Sequence, residues 1–392
     1  MHLPSAAHDL HPDLVAWRRH LHAKPELAYR EVATAAFVRE RLAALGLRPS
    51  PPLAGGTGLT CLIEGQADGP TVALRADMDA LPIQEANDVP YASTVPGVAH
   101  LCGHDAHTTM LLGAAALLAQ DRPAYGHVKL LFQPAEEGGA GAARMIEDGA
   151  LDEPAVSAIF ALHVFPDVEV GHLTVTPGQA TAATDAFDIE VIGRGGHAAR
   201  PHQAVDAIAV AAQVVSALQQ LVSRQTDPLT PLVVTIGKVE GGFARNVIAP
   251  SVRLEGTARS LDPALRERLP GLLEQLVGGV TQAFGASHTL TYRQGYPSTR
   301  NDPALLPTLA ATVSDLLGEG RLRQLPASMG GEDFSYYAER VPGLIARLGV
   351  RNEARGLVHP LHHPRFDLDE DALPLGAAVL AGFARRWLAS NV

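Results

Sequence analysis

Cysteine is scarce in this sequence, whose 392 residues include only Cys61 and Cys102. Two cysteines cannot make the disulfide framework that stabilises small secreted domains, so the composition favours a reducing compartment. The first ten residues have neither a basic flank nor an apolar core, and they therefore predict no signal peptide and no membrane span. We expect a cytoplasmic protein.

Positive charge is also in short supply. The chain has 31 lysine and arginine residues against 42 aspartate and glutamate residues, which gives a net charge of -11. This acidic excess argues against nucleic acid or an anionic membrane surface as a partner, because both attract basic proteins. A small anionic substrate remains compatible with the sequence, since one local arginine can bind it.

In other respects the composition is that of an ordinary globular protein, with 46% hydrophobic and 19% charged residues. The chain is longer than the size at which a single hydrophobic core usually stops growing. We therefore expect about two or three domains.

The densest group of reactive side chains lies in residues 100–107, which hold Cys102, three histidines including His104, and an aspartate. Thiolate and neutral imidazole are strong ligands for zinc and similar divalent ions. Residues 108–118 are apolar and rich in helix formers, so the pattern predicts a helix that begins just after this loop. The stretch indicates a metal site; the alternative is that Cys102 is a small buried hydrophobe and the histidines are incidental.

Two aspartates, Asp77 and Asp79, follow the strand predicted over residues 70–76. In open α/β sheets the functional sites lie beyond the carboxyl ends of the strands. Either carboxylate could therefore bind a metal or orient a ligand imidazole. The alternative is an Asp-rich turn without a function.

Two glutamates, Glu136 and Glu137, follow the strand predicted over residues 128–132. Adjacent side chains on extended backbone point in opposite directions, so one carboxylate can bind metal while the other acts as a general base. A third strand, predicted over residues 158–162, is followed by His163. Each group alone would be ambiguous, but donors after successive strands predict an α/β metal site.

The pattern changes near residue 183. From there to residue 295 the predicted order is strand, helix, strand, strand, helix, strand, which is that of a ferredoxin-like fold. We predict a compact domain at 183–295, inserted into a first domain made of residues 1–182 and 296–392. Two glycine-rich turns of the inserted domain carry His197 and Asn246, either as functional groups or as the tips of solvated turns.

The resumed first domain ends in a histidine-rich loop and an apolar helix. His359, His362 and His363 lie in the loop, and one of them could complete the coordination of a metal. Residues 371–388 predict a helix that covers the sheet.

Short motifs occur in order along nearly the whole chain: RADMDALP at 75–82, CGHDAH at 102–107, QPAEE at 133–137, GGH at 195–197, NVI at 246–248, MGGEDF at 329–334 and HHPRFD at 362–367. Together they resemble the amidohydrolase branch of the M20 metallopeptidases, which includes hippurate hydrolases, aminoacylases and plant auxin-conjugate hydrolases. The sequence departs from the family pattern in one loop of the inserted domain. There Arg245 replaces the aromatic residue that the family more often has before the asparagine, and Pro250 lies one position later than in the family pattern. These differences affect the expected substrate preference and not the expected chemistry.

The resemblance implies an α/β fold with a zinc-peptidase-like catalytic domain on a mixed sheet, and an inserted ferredoxin-like domain that serves as a lid and in dimerisation. It also implies two divalent metal ions, and the donor set suits zinc, manganese, cobalt or nickel. Glu136 is expected to be the general base, while Asp79 holds a ligand without binding metal. The implied metal ligands are Cys102 as the bridge, His104 and His163 on one ion, and Glu137 and His362 on the other.

Three residues of the inserted domain complete the predicted site. Asn246 and Arg259 are expected to bind the substrate α-carboxylate, because a guanidinium matches the fork of a carboxylate. His197 is expected to donate a hydrogen bond to the oxyanion of the tetrahedral intermediate; the alternative is a turn histidine that caps the following helix. Because the corresponding histidine of related enzymes reaches the partner subunit, the resemblance also implies a homodimer or homotetramer formed through the inserted domain.

These expectations predict an enzyme that hydrolyses the amide bond of N-acyl amino acids, such as hippurate or N-acetyl amino acids, to a carboxylate and a free amino acid. Two ions would lower the pKa of a shared water, and Glu136 would carry its proton to the leaving amine. Two alternatives remain: a metallo-carboxypeptidase or dipeptidase with the same site, and a non-catalytic metal-binding protein.

Overall fold

The computed structural model describes residues 3–391, which form two compact units. The first unit runs through Gly178 and resumes over Arg300–Pro326 and from Asp333 onward, and the second comprises Gln179–Thr299 and Ala327–Glu332. The second unit thus contains the segment 183–295 for which the sequence predicts a separate domain. It also contains the loop 327–332, which lies in the segment 296–392 that the sequence predicts to be part of the first domain.

The helices, α1 to α11 in chain order, are Ser5–Asp9, His11–Ala23, Val32–Ala44, His104–Gln120, Glu136–Gly139, Gly141–Glu147, Ala207–Gln220, Pro263–Ala283, Leu306–Leu317, Ser335–Ala338 and Ala372–Ser390. Of these, α5 is a tight turn, because its residues Glu137 and Gly138 have non-helical backbone angles. None of the helices in residues 3–391 has both the length and the apolar character that crossing a membrane requires.

The strands, β1 to β15 in chain order, are Leu59–Glu64, Thr71–Asp77, His127–Gln133, Val156–Glu169, Leu173–Val175, Gly178–Thr181, Ala183–Ile192, Gly196–His197, Leu232–Gly241, Val247–Ile248, Ser251–Ser260, Ser287–Gln294, Thr299–Asn301, Leu322–Gln324 and Gly343–Arg351. Short 3-10 turns occupy Ala54–Gly56, Pro201–Gln203, Pro303–Leu305 and Glu353–Arg355, and a π-helical turn at Leu221–Gln225 follows α7.

The core of the first unit is a seven-stranded sheet in the order β1-β3-β2-β4-β15-β5-β14. Strands β3, β2, β4 and β15 run parallel to one another, whereas β1 pairs antiparallel with β3 and β5 pairs antiparallel with β15. Strand β2 is buried along its whole length, as expected for a parallel strand covered on both faces. The predicted mixed α/β fold is confirmed.

Helix α4 lies at the centre of the first unit, and every residue from His104 to Leu118 is buried. It packs against α2 and α11, whose apolar side chains belong to the same hydrophobic cluster. A Cβ atom on Gly113 would lie 2.8 Å from side-chain atoms of Leu14 and Ala377, so only glycine allows this close approach. Helix α4 is therefore packed closely against the surrounding core along most of its length.

Two boundaries near the predicted donors differ from the sequence expectation. Helix α4 begins at His104 and not at residue 108, since the left-handed Gly103 (φ 84°) ends the loop and Asp105 places an acidic side chain in the first turn. Strand β4 continues to Glu169 because β15 pairs with it that far. His163 therefore lies within a strand and not after its end.

The second unit contains a four-stranded antiparallel sheet in the order β12-β7-β11-β9, with α7 and α8 packed against it. Along the chain these elements follow the predicted order of strand, helix, strand, strand, helix, strand. Asp206 and Asp262 cap α7 and α8 by accepting N–H groups of each first turn. The helix expected over residues 203–224 is regular only from Ala207 to Gln220.

Candidate metal centre

The glycine between Cys102 and His104 brings these two donors together. Gly103 has a left-handed backbone, and a Cβ atom there would lie 2.3 Å from Cγ2 of Val164, so the position requires glycine. The ligand atoms of Cys102, His104 and His163 all lie within 4.8 Å of one another. The Cys102 Sγ atom is 3.6 Å from Nε2 of His163. Three predicted donors thus converge on one point.

The His104 ring uses one nitrogen for a hydrogen bond and leaves the other without one, 3.8 Å from Oδ2 of Asp77. Its Nδ1–H donates to the backbone oxygen of Asp79 at 2.9 Å, and Oδ1 of Asp79 lies 3.2 Å away. Its Nε2 atom is buried without a hydrogen-bond partner. A buried nitrogen of this kind is costly unless something binds it, and a divalent ion would do so with the tautomer that Asp79 selects.

The charges around His104 attract cations. Burial works to lower the pKa of His104, but the Asp77 carboxylate and the Cys102 sulfur outweigh it, so the pKa is raised well above its usual value. Burial also raises the pKa of the Cys102 thiol well above its usual value, against the influence of His104. A thiolate at this position therefore requires a cation beside it, and a coordinating thiol loses its proton outright.

His163 lies in β4 beside the Cys102 sulfur, as a neutral imidazole. Its Nδ1–H donates to the backbone oxygen of Val164 at 2.7 Å, which directs Nε2 towards Cys102. Burial, followed by the nearby His107 ring, lowers the pKa of His163 well below its usual value. The neutral ring is the form that binds a metal.

A second group of donors shares the same sulfur. Ligand atoms of Cys102, Glu137 and His362 lie within 4.8 Å of one another, and Oε1 of Glu137 is 3.2 Å from Nε2 of His362. His362 adopts a left-handed backbone (φ 64°), and its N–H donates to the oxygen of Leu101 at 2.7 Å. Two triads with Cys102 in common give the arrangement that two adjacent ions need.

The other two histidines of this loop face each other instead. The rings of His359 and His363 stack with their centroids 4.4 Å apart. Among residues 3–391, His362 is the member of the trio that belongs to a group of metal donors. His362 is also the histidine of this loop that the family resemblance implies as a ligand, and that role stays a prediction.

Asp79 also holds the turn that carries the two glutamates. Its Oδ1 accepts the N–H of Glu136 at 3.0 Å, and its Oδ2 accepts the N–H of Glu137 at 2.9 Å. The Glu136 side chain is buried, and its Oε1 accepts the N–H of Asp333 at 3.3 Å. Asp79 thus contacts both His104 and the glutamate pair through one carboxylate.

Asp77, for which the sequence left two roles open, is surrounded by positively polarised partners. Its Oδ1 lies 2.6 Å from Nδ1 of His107 and its Oδ2 lies 2.7 Å from Nη1 of Arg75. Burial acts to raise the pKa of Asp77, but His104, Arg75 and His107 together hold it well below its usual value. The Nε2 atom of His107 accepts the N–H of Val164 at 2.8 Å, so both ring nitrogens of His107 are used within the protein.

A buried group of polar side chains next to the site was not predicted from the sequence. Arg75 donates to Asp333 at 2.8 Å, and the side-chain amide of Gln133 donates to both carboxylate oxygens of Asp333. The available signal was that Arg75 and Gln133 are polar residues inside otherwise apolar strands. These contacts fix Asp333, whose N–H reaches Glu136.

The second unit holds the other three predicted site residues. His197 is exposed in β8, its Nδ1 accepts the N–H of Ala199 at 3.1 Å, and β8 pairs with β10. The N–H of Ala198 donates to the backbone oxygen of Asn246 at 3.1 Å, so the His197 and Asn246 loops lie side by side. Arg259 lies farther along, in β11, opposite Thr184 of β7.

Comparison with known proteins gives a family match and close relatives. Residues 73–386 match the family described as Peptidase family M20/M25/M40. The chain is 41% identical over 385 residues to N-acetyl-L-cysteine deacetylase of Bacillus subtilis, covering 97% of this chain and 90% of that protein. It is also 41% identical over 380 residues to an IAA-amino acid hydrolase of Arabidopsis thaliana, covering 96% of this chain and 86% of that protein.

A solved structure agrees with this match. A Bacillus subtilis protein described as a dinuclear metal binding peptidase from the M20 family superposes with a TM-score of 0.85 at 35% sequence identity, and the match covers 98% of this chain and 99% of that one. The likeness extends over both units, since it includes almost every residue of each chain.

Proposed function

The chain belongs to peptidase family M20/M25/M40 and is a hydrolase. From that membership we propose that it hydrolyses the amide bond of N-acyl amino acids, releasing a carboxylate and a free amino acid, with the aid of two divalent metal ions. The observation that carries the proposal is the pair of donor triads that share the Cys102 sulfur, with Glu136 in the same turn as Glu137.

The donor set fits two ions of the zinc, manganese, cobalt or nickel type. It combines a buried thiol, imidazoles and a carboxylate, and the buried Nε2 of His104, which has no hydrogen-bond partner and lies 3.8 Å from Oδ2 of Asp77, supports the proposal that an ion binds there. In our proposal His104 and His163 would hold one ion, Glu137 and His362 would hold the other, and Cys102 would serve both. When bound, such ions lower the pKa of a coordinated water to about 7 and polarise the substrate carbonyl.

Glu136 is proposed as the general base. Its carboxylate accepts a proton from the water whose oxygen attacks the acyl carbon, and it returns that proton to the amine nitrogen as the C–N bond breaks. Two contacts support this role: the Asp79 carboxylate fixes the Glu136 backbone, and the Asp333 N–H fixes one carboxylate oxygen. A base held in this way loses little freedom when the reaction begins.

The proposed substrate class draws on the relatives. One of them is named for an N-acetyl amino acid and the other for a conjugate of an amino acid. We propose that Asn246 and Arg259 bind the α-carboxylate of such a substrate and that His197 donates a hydrogen bond to the oxyanion. A homodimer or homotetramer formed through the second unit, and a cytoplasmic location, remain parts of the same proposal.

A screen of N-acyl amino acids beside dipeptides, in the presence of each of the four metals, tests the function. We expect release of a free amino acid from acyl substrates, loss of turnover after chelation, and recovery when metal is added back. Faster cleavage of dipeptides would instead identify a carboxypeptidase or dipeptidase. Metal binding without turnover of any substrate would identify a non-catalytic metal-binding protein.

A further inference from the structure

Glu31 stands at the start of α3 but does not cap it. The residue occupies the N-cap position, yet its side chain makes no hydrogen bond to the first turn of the helix. Those N–H groups are taken by another carboxylate, because Glu26 accepts the N–H of Ala33 at 3.1 Å and that of Thr34 at 2.8 Å. The side chain of Glu31, which is fully buried, therefore does not serve as the N-cap of α3.

The carboxylate of Glu31 instead binds two strained segments. Its Oε1 accepts the N–H of Tyr29 at 3.0 Å and the N–H of Ala135 at 2.9 Å. Both donors are non-glycine residues in the left-handed region, with φ of 60° at Tyr29 and 57° at Ala135. Such a conformation costs roughly 1–2 kcal/mol for a residue with a Cβ atom, so it persists only where other contacts hold it.

Ala135 is the residue directly before the two active-site glutamates. With Asp79, Glu31 accounts for three consecutive amides: Ala135 donates to Glu31, and Glu136 and Glu137 donate to Asp79. The hydroxyl of Tyr29 adds a further bond, to the backbone oxygen of Gly139 at 2.7 Å. The segment 29–31 thus contacts the glutamate turn at both of its ends.

We propose that Glu31 is a positioning residue that holds Ala135 in its left-handed conformation and so directs the side chains of Glu136 and Glu137 to their places. The role rests on the proposed function, in which Glu136 is the base and Glu137 is a ligand. Glu31 itself contacts the backbone of the turn, not substrate or metal. Its charge lies close to Asp79, and burial together with that neighbour raises the pKa of Glu31 to about 7. The raised pKa means that the surroundings destabilise the ionised carboxylate of Glu31. Such a cost is expected where a buried acid serves a site.

The test compares Glu31→Ala with Glu31→Gln, which keeps the accepting oxygen. Glu31→Ala should lower kcat by about 10- to 100-fold, the scale of a small displacement of a catalytic group, with KM close to that of the wild type. Glu31→Gln should recover most of kcat. Glu26→Ala is the matched control, since it removes a nearby carboxylate that also accepts two amides, and it should lower the melting temperature without changing kcat.

Amide hydrogen exchange gives a readout that does not depend on activity. In the metal-free protein the Ala135 amide should be protected in the wild type, in Glu31→Gln and in Glu26→Ala, and it should exchange faster in Glu31→Ala. If Glu31→Ala does not fold, Glu31→Met takes its place, and the exchange of the wild type still decides the question: an unprotected Ala135 amide would overturn the proposal.

Equal losses of kcat in Glu31→Ala and Glu26→Ala would likewise overturn it, as would an unchanged kcat in folded Glu31→Ala. If the wild type released no amino acid from any substrate, the proposed function would fail. The exchange of Ala135 would then still test whether Glu31 holds the turn, so the two failures can be told apart.

Discussion

At the scale of single residues, the centre depends on side chains that are shared between structure and chemistry. The ring of His104 is tied to Asp79 by one nitrogen and presents the other inside the protein. The Asp79 carboxylate in turn holds Glu136 and Glu137. A change at any of these positions therefore affects orientation as well as binding, and variants must be chosen so that the two effects separate.

Glu136→Gln and Glu137→Ala should separate the loss of catalysis from the loss of metal binding. Glu136→Gln removes the proposed base but no proposed ligand, so metal content should stay near normal while kcat falls by on the order of 100- to 10,000-fold. Glu137→Ala should lose metal from one of the two sites. Metal analysis and steady-state kinetics check both results, and equal metal loss in the two variants would show that the pair is assigned the wrong way round.

Cys102→Ala should lose more metal than a change of any one proposed histidine ligand, because a bridging thiolate serves both ions. Cys61→Ala is the control, since Cys61 is also buried and burial raises its pKa to about 11, but it lies in β1 away from any donor group of the described residues. Metal content per protein, measured by elemental analysis, should fall only in Cys102→Ala. A fully active Cys102→Ala enzyme would exclude the bridging role.

The raised pKa of Glu31 makes a prediction about pH. The folded protein holds the Glu31 proton up to about pH 7, whereas the unfolded chain releases it near the ordinary value of 4.5. Between these values the folded state binds more protons, so the contribution of Glu31 to the free energy of unfolding falls as the pH rises. Glu31→Gln removes this contribution.

Urea unfolding of the metal-free proteins at pH 5 and pH 8 checks the sign. The stability of Glu31→Gln relative to the wild type should increase from the lower to the higher pH. If the difference in free energy of unfolding between the two proteins did not change with pH, the raised pKa of Glu31 would be contradicted. The same variant thus reports on stability here and on positioning through kcat.

At the scale of elements, the N-terminus of α4 is held by a buried arginine on α2. Arg18 donates to Asp105, the residue after His104, at 2.8 Å, and to Asp367 at 2.8 Å. Burial acts to raise the pKa of Asp105, but Arg18 and His22 outweigh it and hold the pKa far below its usual value. The segments that supply His104 and His362 are therefore connected to one guanidinium.

Arg18→Met should destabilise the protein by about 3–5 kcal/mol, because it leaves buried carboxylates without their partner. Arg19→Met is the neighbouring control: Arg19 binds Glu370 at 2.6 Å but is partly exposed, and its loss should cost about 1 kcal/mol or less. Chemical unfolding measures both. Equal effects of the two changes would contradict the importance given to burial.

Much of the site could be predicted because its donors follow recognisable strands and a glycine loop. The end of β4 could not, since Pro166 and Asp167 argue against a strand beyond His163. The strand continues because β15 pairs with it through an irregularity near Gly349, which accommodates the proline.

Two contacts that hold the site join residues far apart in the chain. The contact of Glu31 with Ala135 joins residues 104 positions apart, and that of Arg18 with Asp105 joins residues 87 positions apart. No local pattern reveals such pairs.

At the scale of the whole molecule, all five proposed metal ligands belong to the first unit, and its core is separate from that of the second. The order of elements in both units was open to prediction, because hydrophobic periodicity decides it. The membership of loop 327–332 in the second unit was not, since the loop returns after the first unit has already resumed.

Metal binding should therefore stabilise one unit selectively. An ion at about 100 times its dissociation constant adds about 2.7 kcal/mol to the free energy of unfolding of the structure that holds it. In scanning calorimetry the transition of the first unit should move to higher temperature with added metal, while that of the second unit should not. Glu137→Ala should reduce the movement, and an equal shift of both transitions would contradict the assignment of the ligands.

The interrupted first unit has a consequence for biosynthesis. Strand β15 stands between β4 and β5 in the sheet, and His362 lies beyond it in the chain. When every residue of the second unit has left the ribosome, the sheet of the first unit still lacks the strand between β4 and β5, and the proposed metal centre still lacks His362. Since domains fold as units while the chain emerges, the second unit can complete its fold first. If His362 is a ligand as proposed, we expect the nascent enzyme to stay inactive until β15 and His362 have been synthesised and β15 has joined the sheet.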